Sequence, residues 1–312
     1  MNSQGQLDFA STGESVLAFL HDQYPLDLWM ITRTNQQDLI VLQTKGHGYG
    51  VKPGMAFNWE DTLCIRMMSD QAPNIAPNID DVTLYQQAPI AQQFQIKACI
   101  SVPIYANDVF FGTLCGVNGT PIDESAKQDL ALMQSQAAKL SAALASDLAA
   151  IQILRQNEHA AANAQLDALT QLPNWRAWDQ WIDAESHRCS TYGNRGDVIS
   201  IDLAALKKTN EQAGRAAGDK LLQDTAHLLT QLTRPQDIVA RVGNDEFGVI
   251  SIDHPTRNAA TLAQEIKQAL MQHQINCYVG HATNNPQKGL RTAWEMAEHM
   301  MYKEKKLSKL NN

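Results

Sequence analysis

Arg241-Val242-Gly243-Asn244-Asp245-Glu246-Phe247-Gly248-Val249-Ile250 sets two apolar stretches around a short polar turn. Gly-Asn between apolar strands predicts a two-residue hairpin turn, because both residue types accept positive φ, and it leaves Asp245 exposed beside the turn. Asp202 ends another apolar run, 198–202, so a strand laid beside this hairpin could bring the two carboxylates together. Paired carboxylates suit Mg²⁺, which prefers hard oxygen ligands and shares them with phosphates. Taken alone, an acidic turn with no ligand is the simpler reading.

Around this segment the last third of the chain alternates in period. Helices are predicted near 175–187, 219–232, 261–272 and 290–306, with strands near 198–202, 239, 247 and 277–279, which implies a sheet with helices packed on it. Upstream, 121–169 contains no glycine and, after Pro121, no proline, and Ala, Gln and Leu dominate, as in a long helix. Met133, Ala137, Leu140, Leu144, Leu148, Ile151 and Leu154 recur at an average spacing of 3.5 residues, the seam of a left-handed coiled coil. The pattern predicts a parallel dimer stalk, with a single amphipathic helix lying on its own domain as the alternative. Residues 10–120 mix short apolar runs with turn signals such as Lys45-Gly46-His47-Gly48, and 98–104 with 109–117 reads as a hairpin.

Length and composition agree with two folded domains. The chain has 312 residues, 44% hydrophobic and 19% charged, and could bury two cores. A net charge of −8 argues against a general nucleic-acid or anionic-membrane binder, since phosphate neutralisation needs clustered cations. No uncharged apolar run approaches the ~18 residues of a membrane span, and the opening MNSQGQLDF lacks a secretory pattern, so a cytoplasmic protein is expected. The five cysteines, Cys64, Cys99, Cys115, Cys189 and Cys277, show no CxxC or zinc-like spacing. They read as small buried hydrophobes, with Cys64 and Cys115 a redox pair only if the fold brings them together.

From Asp167 onward the chain resembles the GGDEF family of diguanylate cyclases. The ordered motifs are Asp167-Ala168-Leu169-Thr170-Gln171-Leu172-Pro173-Asn174, then Asp202-Leu203-Ala204-Ala205-Leu206-Lys207 with Asn210-Glu211, Gly214 and Gly218-Asp219, and finally Gly243-Asn244-Asp245-Glu246-Phe247. The resemblance implies that Asp202, Asp245 and the main-chain carbonyl of Leu203 hold Mg²⁺ or Mn²⁺, with Asp245 also helping to deprotonate an attacking 3′-hydroxyl. By the same resemblance Asn210 and Asp219 read guanine, Gly243, Asn244 and Glu246 meet the substrate, and Lys207, Lys305 and Lys309 neutralise the triphosphate of GTP. Two subunits would face each other, each holding one GTP, to form cyclic di-GMP. Arg234-Pro235-Gln236-Asp237 stands where the family carries its Arg-x-x-Asp product-inhibition site; an exposed salt-bridged turn is the alternative.

Several positions depart from the family pattern. The signature's second glycine is Asn244, which adds a side chain where backbone approaches phosphate. Glu211 replaces Asp, Arg215 replaces His, Trp175 replaces Arg, and Lys309 replaces an arginine whose bidentate grip lysine cannot copy. The strand around Cys277-Tyr278-Val279-Gly280-His281 is also an atypical version of its family counterpart.

Residues 10–150 resemble the GAF family of sensory domains through Trp59-Glu60-Asp61-Thr62-Leu63-Cys64, Ala76-Pro77-Asn78-Ile79-Asp80, Ser101-Val102-Pro103-Ile104 and Phe111-Gly112-Thr113-Leu114-Cys115. Such domains surround a small pocket, so a small-molecule ligand of unspecified identity is implied. Neither Cys64 nor Cys115 is followed by the histidine that accompanies bilin attachment. The expected organisation is an α/β (α+β) chain with a GAF sensor at 1–130, a helical linker at 131–166 and a GGDEF domain at 167–312. Its expected activity is a GAF-regulated diguanylate cyclase. A degenerate receptor for GTP or cyclic di-GMP that signals to a protein partner is the alternative, and a dimerisation scaffold without a nucleotide is a third reading.

Overall fold

The structure, a computed structural model, describes residues 8–35, 37–69, 71–162, 165–254 and 256–310. The opening residues 1–7 and linker residues 163 and 164 lie outside the described residues. The chain divides into two compact units, one of Met1–Arg155 with Thr191–Gly193, the other of Gln156–Ser190 with Asn194–Asn312.

In the first unit the elements are α1 (Phe9–Gln23), β1 (Leu28–Thr34), β2 (Asp38–Gly46), β3 (Ala56–Asn58), α2 (Leu63–Met68), β4 (Ile75–Ala76), α3 (Thr83–Gln86), α4 (Pro89–Phe94), β5 (Ala98–Ala106) and β6 (Val109–Asn118). The strands form one antiparallel sheet in the order β3-β2-β1-β6-β5-β4. The predicted hairpin is β5–β6, and its turn residues Asn107 and Asp108 both take positive φ, the conformation that Asn and Asp tolerate best after glycine. Both faces of the sheet are covered. Ile100, Val102, Ile104 and Leu114 meet Phe9, Leu17 and Leu20 of α1, while Cys99, Cys115 and Val117 face Leu63, Cys64 and Ala91 on the other side.

Helix α5 (Leu130–Ala162) gives the first half of the seam to the chain's own core. Met133, Ala137, Leu140 and Leu144 are buried in the first unit's own core, with Leu148 and Ile151 packed partly against it. For Met133 to Leu144 the alternative, a helix lying on its own domain, describes the packing, and these four buried residues are not free to pair with a second copy. Only toward the helix end do Ile153 and Leu154 become exposed. Residues 124–161 are long and apolar enough to cross a bilayer by length and composition alone. Within it Met133, Ala137, Leu140, Ala143 and Leu144 are buried in the first unit's core.

The second unit continues with α6 (Trp175–Tyr192), β7 (Gly196–Leu203), α7 (Leu206–Ala213), α8 (Arg215–Leu232), β8 (Ile238–Arg241), β9 (Glu246–Ile252), α9 (Ala259–Gln272), β10 (Cys277–Thr283) and α10 (Gly289–Leu310). Its antiparallel sheet runs β10-β7-β9-β8. Every residue of β7 is buried, as a central strand covered on both faces requires. Ile199, Ile201, Phe247 and Val249 pack against Leu222 and Leu229 of α8 and Leu262 and Ile266 of α9. Val198, Ala240 and Ile250 pack on the opposite face against Trp178 and Ile182 of α6 and Leu290 and Trp294 of α10.

Candidate functional site

The site forms where β7 ends beside the start of β9. Asp202 pairs with Glu246 in the ladder, and the Leu203 amide donates to the carbonyl of Asp245 at 2.9 Å. Strand register therefore brings the two predicted carboxylate positions together, as their place at the ends of apolar runs suggested. The Asp202 carboxylate is buried at 2% exposure; Lys305 of α10 donates to its Oδ2 at 2.5 Å, and Oδ1 is buried with no hydrogen-bond partner among the described residues. A buried carboxylate oxygen left without a donor is costly unless a ligand or cation completes it.

The local charges tune one another. Glu246 is pushed above its ordinary value first by burial and then by the negative charges of Asp202 and Asp245. Glu298 of α10 rises through burial and then through the charges of Glu246 and Glu295. Burial works against the Lys305 ammonium, but its hydrogen bond to Asp202 and the charges of Asp202, Asp245 and Glu246 raise it overall. Sequence reading assigned no role to Glu298. Its spacing of seven residues from Lys305, two turns along one helical face, was the available signal.

The hairpin turn differs from the expected one. Neither Gly243 nor Asn244 takes positive φ; instead the amides of Val242 and Gly243 both donate to the Glu246 carbonyl, at 2.9 and 3.2 Å, closing a wider turn. Asn244 is exposed and Asp245 is half-buried. A Cβ on Gly243 would meet Glu246 Oε2 at 2.5 Å, a contact that a shift of the flexible glutamate side chain relieves.

Arg241, the residue that opens the quoted segment, holds this turn and was given no role from sequence. One nitrogen donates to the Asn244 carbonyl at 2.7 Å and another to Asp167 Oδ1 at 3.0 Å. Asp167 in turn accepts from the Thr170 amide and hydroxyl at 2.9 and 2.7 Å. Against the effect of burial, these donors and Arg241 hold the Asp167 carboxyl below its ordinary value. Asn174 then caps α6 by accepting from the Arg176 amide at 2.9 Å. The Asp167–Asn174 motif is thus a brace beneath the signature turn.

An open cleft of about 400 Å³ lies over the turn, lined by Leu206, Lys207, Asn210, Glu211, Asn244 and Asp245. Helices α7 and α8 meet at Gly214, whose φ of +81° is a conformation glycine adopts freely. Gly218 of α8 has no room for a Cβ, which would stand 2.0 Å from Asn210 Oδ1. Asp219 is half-buried on the next position of α8 and does not line the cleft. Lys207 is exposed, 4.0 Å from Glu211, and Lys309 is exposed near the end of α10. Arg234 and Asp237 close on each other: the Arg234 guanidinium donates to Asp237 Oδ1 at 2.7 Å, its amide to Oδ2 at 2.8 Å, and the Asp237 side chain is only 2% exposed.

Comparison with known families matches residues 14–144 to the GAF domain and residues 164–310 to the diguanylate cyclase, GGDEF domain. The chain joins a GAF domain to a GGDEF domain. Its GGDEF domain holds the Asp202–Lys305 pair, the Arg241 brace and the cleft described above. Among similar proteins is the probable diguanylate cyclase DgcE of Escherichia coli (strain K12), 34% identical over 123 residues, covering 39% of this chain and 11% of that protein. The diguanylate cyclase DgcP of the same strain is 25% identical over 214 residues, covering 68% of this chain and 62% of that one. The chain spans less than two thirds of the length of either relative. A solved sensory box/GGDEF family protein from Caulobacter crescentus CB15 is 29% identical with a TM-score of 0.41, covering 46% of this chain and 98% of that one.

Proposed function

We propose that the GAF–GGDEF chain is a diguanylate cyclase, joining two GTP into cyclic di-GMP with release of two pyrophosphates under control of its GAF domain. The observation that carries this reading is the donor-free Oδ1 of buried Asp202 beside Asp245, at the edge of a cleft that offers Lys207 and Asn210. The donor set fits a divalent metal: Asp202 and Asp245 supply hard oxygens, and the Leu203 carbonyl would be a third. Mg²⁺ or Mn²⁺ held there would neutralise charge on the phosphates.

The remaining chemistry belongs to the chain's own side chains. Asn210 and Asp219 pair with the guanine edge, the amide supplying both donor and acceptor and the carboxylate accepting from ring and exocyclic N–H groups. Lys207, Lys305 and Lys309 meet the triphosphate, and Asp245 takes the proton of the attacking 3′-hydroxyl. Because each 3′-hydroxyl attacks the α-phosphate bound by another copy, a homodimer is part of the reaction. Arg234 and Asp237, already paired with each other, would bind the product as an inhibitor.

One observation favours a second reading, a receptor that binds GTP or cyclic di-GMP without turnover: the exposed Asn244 side chain stands on the turn where the family has glycine. Incubation of the full chain with GTP and Mg²⁺, with cyclic di-GMP quantified by mass and Asp245→Ala as control, separates the two. Product that vanishes in the control supports the cyclase. Nucleotide binding without product supports the receptor.

A further inference from the structure

On the face of the first unit's sheet away from α5, polar and sulfur atoms gather in an otherwise apolar core. Ser101 of β5 and Cys115 of β6 are direct cross-strand partners, and Thr113 lies two residues before Cys115 on the same face of β6. Cys64 of α2 is set down on this patch, its Sγ 3.3 Å from Thr113 Oγ1 and accepting from Ser101 Oγ at 3.7 Å. Thr113 Oγ1 also lies 2.8 Å from Thr32 Oγ1, so a line of hydroxyls ends at the Cys64 sulfur. Cys64, Cys115, Ser101, Thr113 and Thr32 are all buried.

The two thiols also face a common space. A cavity of about 40 Å³, with walls that include Met30, Tyr49 and Phe57, is lined by both Cys64 and Cys115. Such a volume exceeds the roughly 10–15 Å³ that one water needs, and so admits a molecule of a few heavy atoms. Neither the nucleotide site nor the packing of the sheet requires two thiols and two hydroxyls at one point.

We propose that Cys64 is a site of oxidation by a small hydroperoxide, with Cys115 as its resolving partner. The Cys64 thiolate attacks the near oxygen of the peroxide: an S–O bond forms, the O–O bond breaks, and the leaving oxygen departs as water or an alcohol after taking a proton. The hydroxyls of Thr113 and Ser101, already at the sulfur, stand where they can hydrogen-bond the leaving oxygen. The Cys115 sulfur then attacks the sulfur of the Cys64 sulfenic acid: the S–S bond forms, the S–O bond breaks, and the thiol proton of Cys115 passes to the departing hydroxyl, which leaves as water. Two thiols are oxidised by two electrons and one hydroperoxide is reduced.

The division of roles follows from the surroundings. The hydrogen bond with Cys115 lowers the Cys64 thiol against the effect of burial, and the Thr113 and Ser101 hydroxyls add to it. Cys115 is raised by the same hydrogen bond, then by burial and by the charge of Cys64. The Thr113 and Ser101 hydroxyls set at the Cys64 sulfur can stabilise its thiolate, which assigns Cys64 as the attacking thiol and Cys115 as the one that follows.

The test uses the full chain treated with hydrogen peroxide or, separately, with bulkier tert-butyl hydroperoxide, then quenched and mapped by mass spectrometry. Cys189 and Cys277, buried in the other unit, serve as internal references. The expected result is a Cys64–Cys115 bridge forming about tenfold or more faster than oxidation of either reference thiol, with hydrogen peroxide the faster reagent. Cys115→Ser, or Cys115→Ala should serine fail to fold, should leave a Cys64 sulfenic acid that dimedone traps, and Thr113→Val should slow its formation. Oxidation of Cys64 no faster than of the references would overturn the proposal, as would a bridge to Cys99 or equal rates with the two peroxides. Failure to trap any sulfenic acid in a folded Cys115 variant would do the same.

Discussion

Lys305 and Asp202, 103 residues apart in the chain, meet at 2.5 Å, and the pair ties α10 to the end of the central strand. The lysine engages one carboxylate oxygen and leaves the other open toward the turn that carries Asp245. One contact thus both anchors the C-terminal helix and pre-sets the orientation of the proposed metal ligand.

Replacing Lys305 with Met should remove the hydrogen-bond donor that a buried carboxylate has among the described residues and cost about 1–3 kcal/mol of unfolding free energy. Because the folded-state value of Lys305 lies above its ordinary 10.5, its contribution is complete below that pH and disappears as pH rises through the raised value. Chemical denaturation of wild type and Lys305→Met across alkaline pH should show the difference shrinking. A constant difference would exclude the ion pair as its source.

Glu246 has the opposite electrostatic position. Its carboxyl is raised above 4.5, so ionisation of Glu246 favours the unfolded chain and the penalty develops as pH rises from the unfolded toward the folded value. Glu246→Gln should therefore gain stability at neutral pH, by about 1 kcal/mol or less given partial exposure, and lose that gain below pH 4.5. Melting temperatures measured at acid and neutral pH check both the sign and the window.

Arg241→Lys should behave nearly as badly as Arg241→Ala. A lysine ammonium cannot span the Asn244 carbonyl and Asp167 with two separate nitrogens, so about 1.5–3 kcal/mol should be lost in either variant. Thermal unfolding of the two variants provides the comparison; full rescue by lysine would argue against the brace.

Leu144→Asp places a charge at a position with no exposure inside the first unit and should unfold that unit, whereas Leu154→Asp, at 48% exposure, should change stability by less than about 1 kcal/mol. Circular dichroism with limited proteolysis distinguishes collapse of the first unit from a change in association state.

Gly218→Ala should push Asn210 out of its seat, because the new Cβ would lie 2.0 Å from the amide oxygen. A labelled guanine nucleotide should then bind at least about tenfold more weakly, a loss of about 1.4 kcal/mol, with the fold retained. Unchanged affinity would place guanine recognition elsewhere.

Much of the second unit was legible in the order of its motifs. Asp202 and Asp245 each stand at the edge of an apolar strand run, and strand alternation leaves few ways to arrange those runs other than side by side. The β5–β6 hairpin was legible for the same reason, with Asn107-Asp108 as a turn that needs positive φ. Gly243-Asn244 has equally good turn chemistry, yet its φ angles are negative, because Arg241 pulls the Asn244 carbonyl inward and the turn widens around Glu246.

By itself, then, the sequence determined which segments become helices and strands and which polar residues sit at their ends, since these follow from local periodicity and turn chemistry. It also determined that α5 has an apolar face. Tertiary structure alone decided what covers that face: a spacing of 3.5 residues serves a partner helix or the chain's own sheet equally well, and Met133, Leu140 and Leu144 went to the sheet. Tertiary structure also decided that Arg241 braces the signature turn, that Lys305 takes one oxygen of Asp202, and that Cys64 lies over Thr113 and Ser101. Each of these depends on a contact between segments far apart in the chain, whose geometry no local pattern encodes.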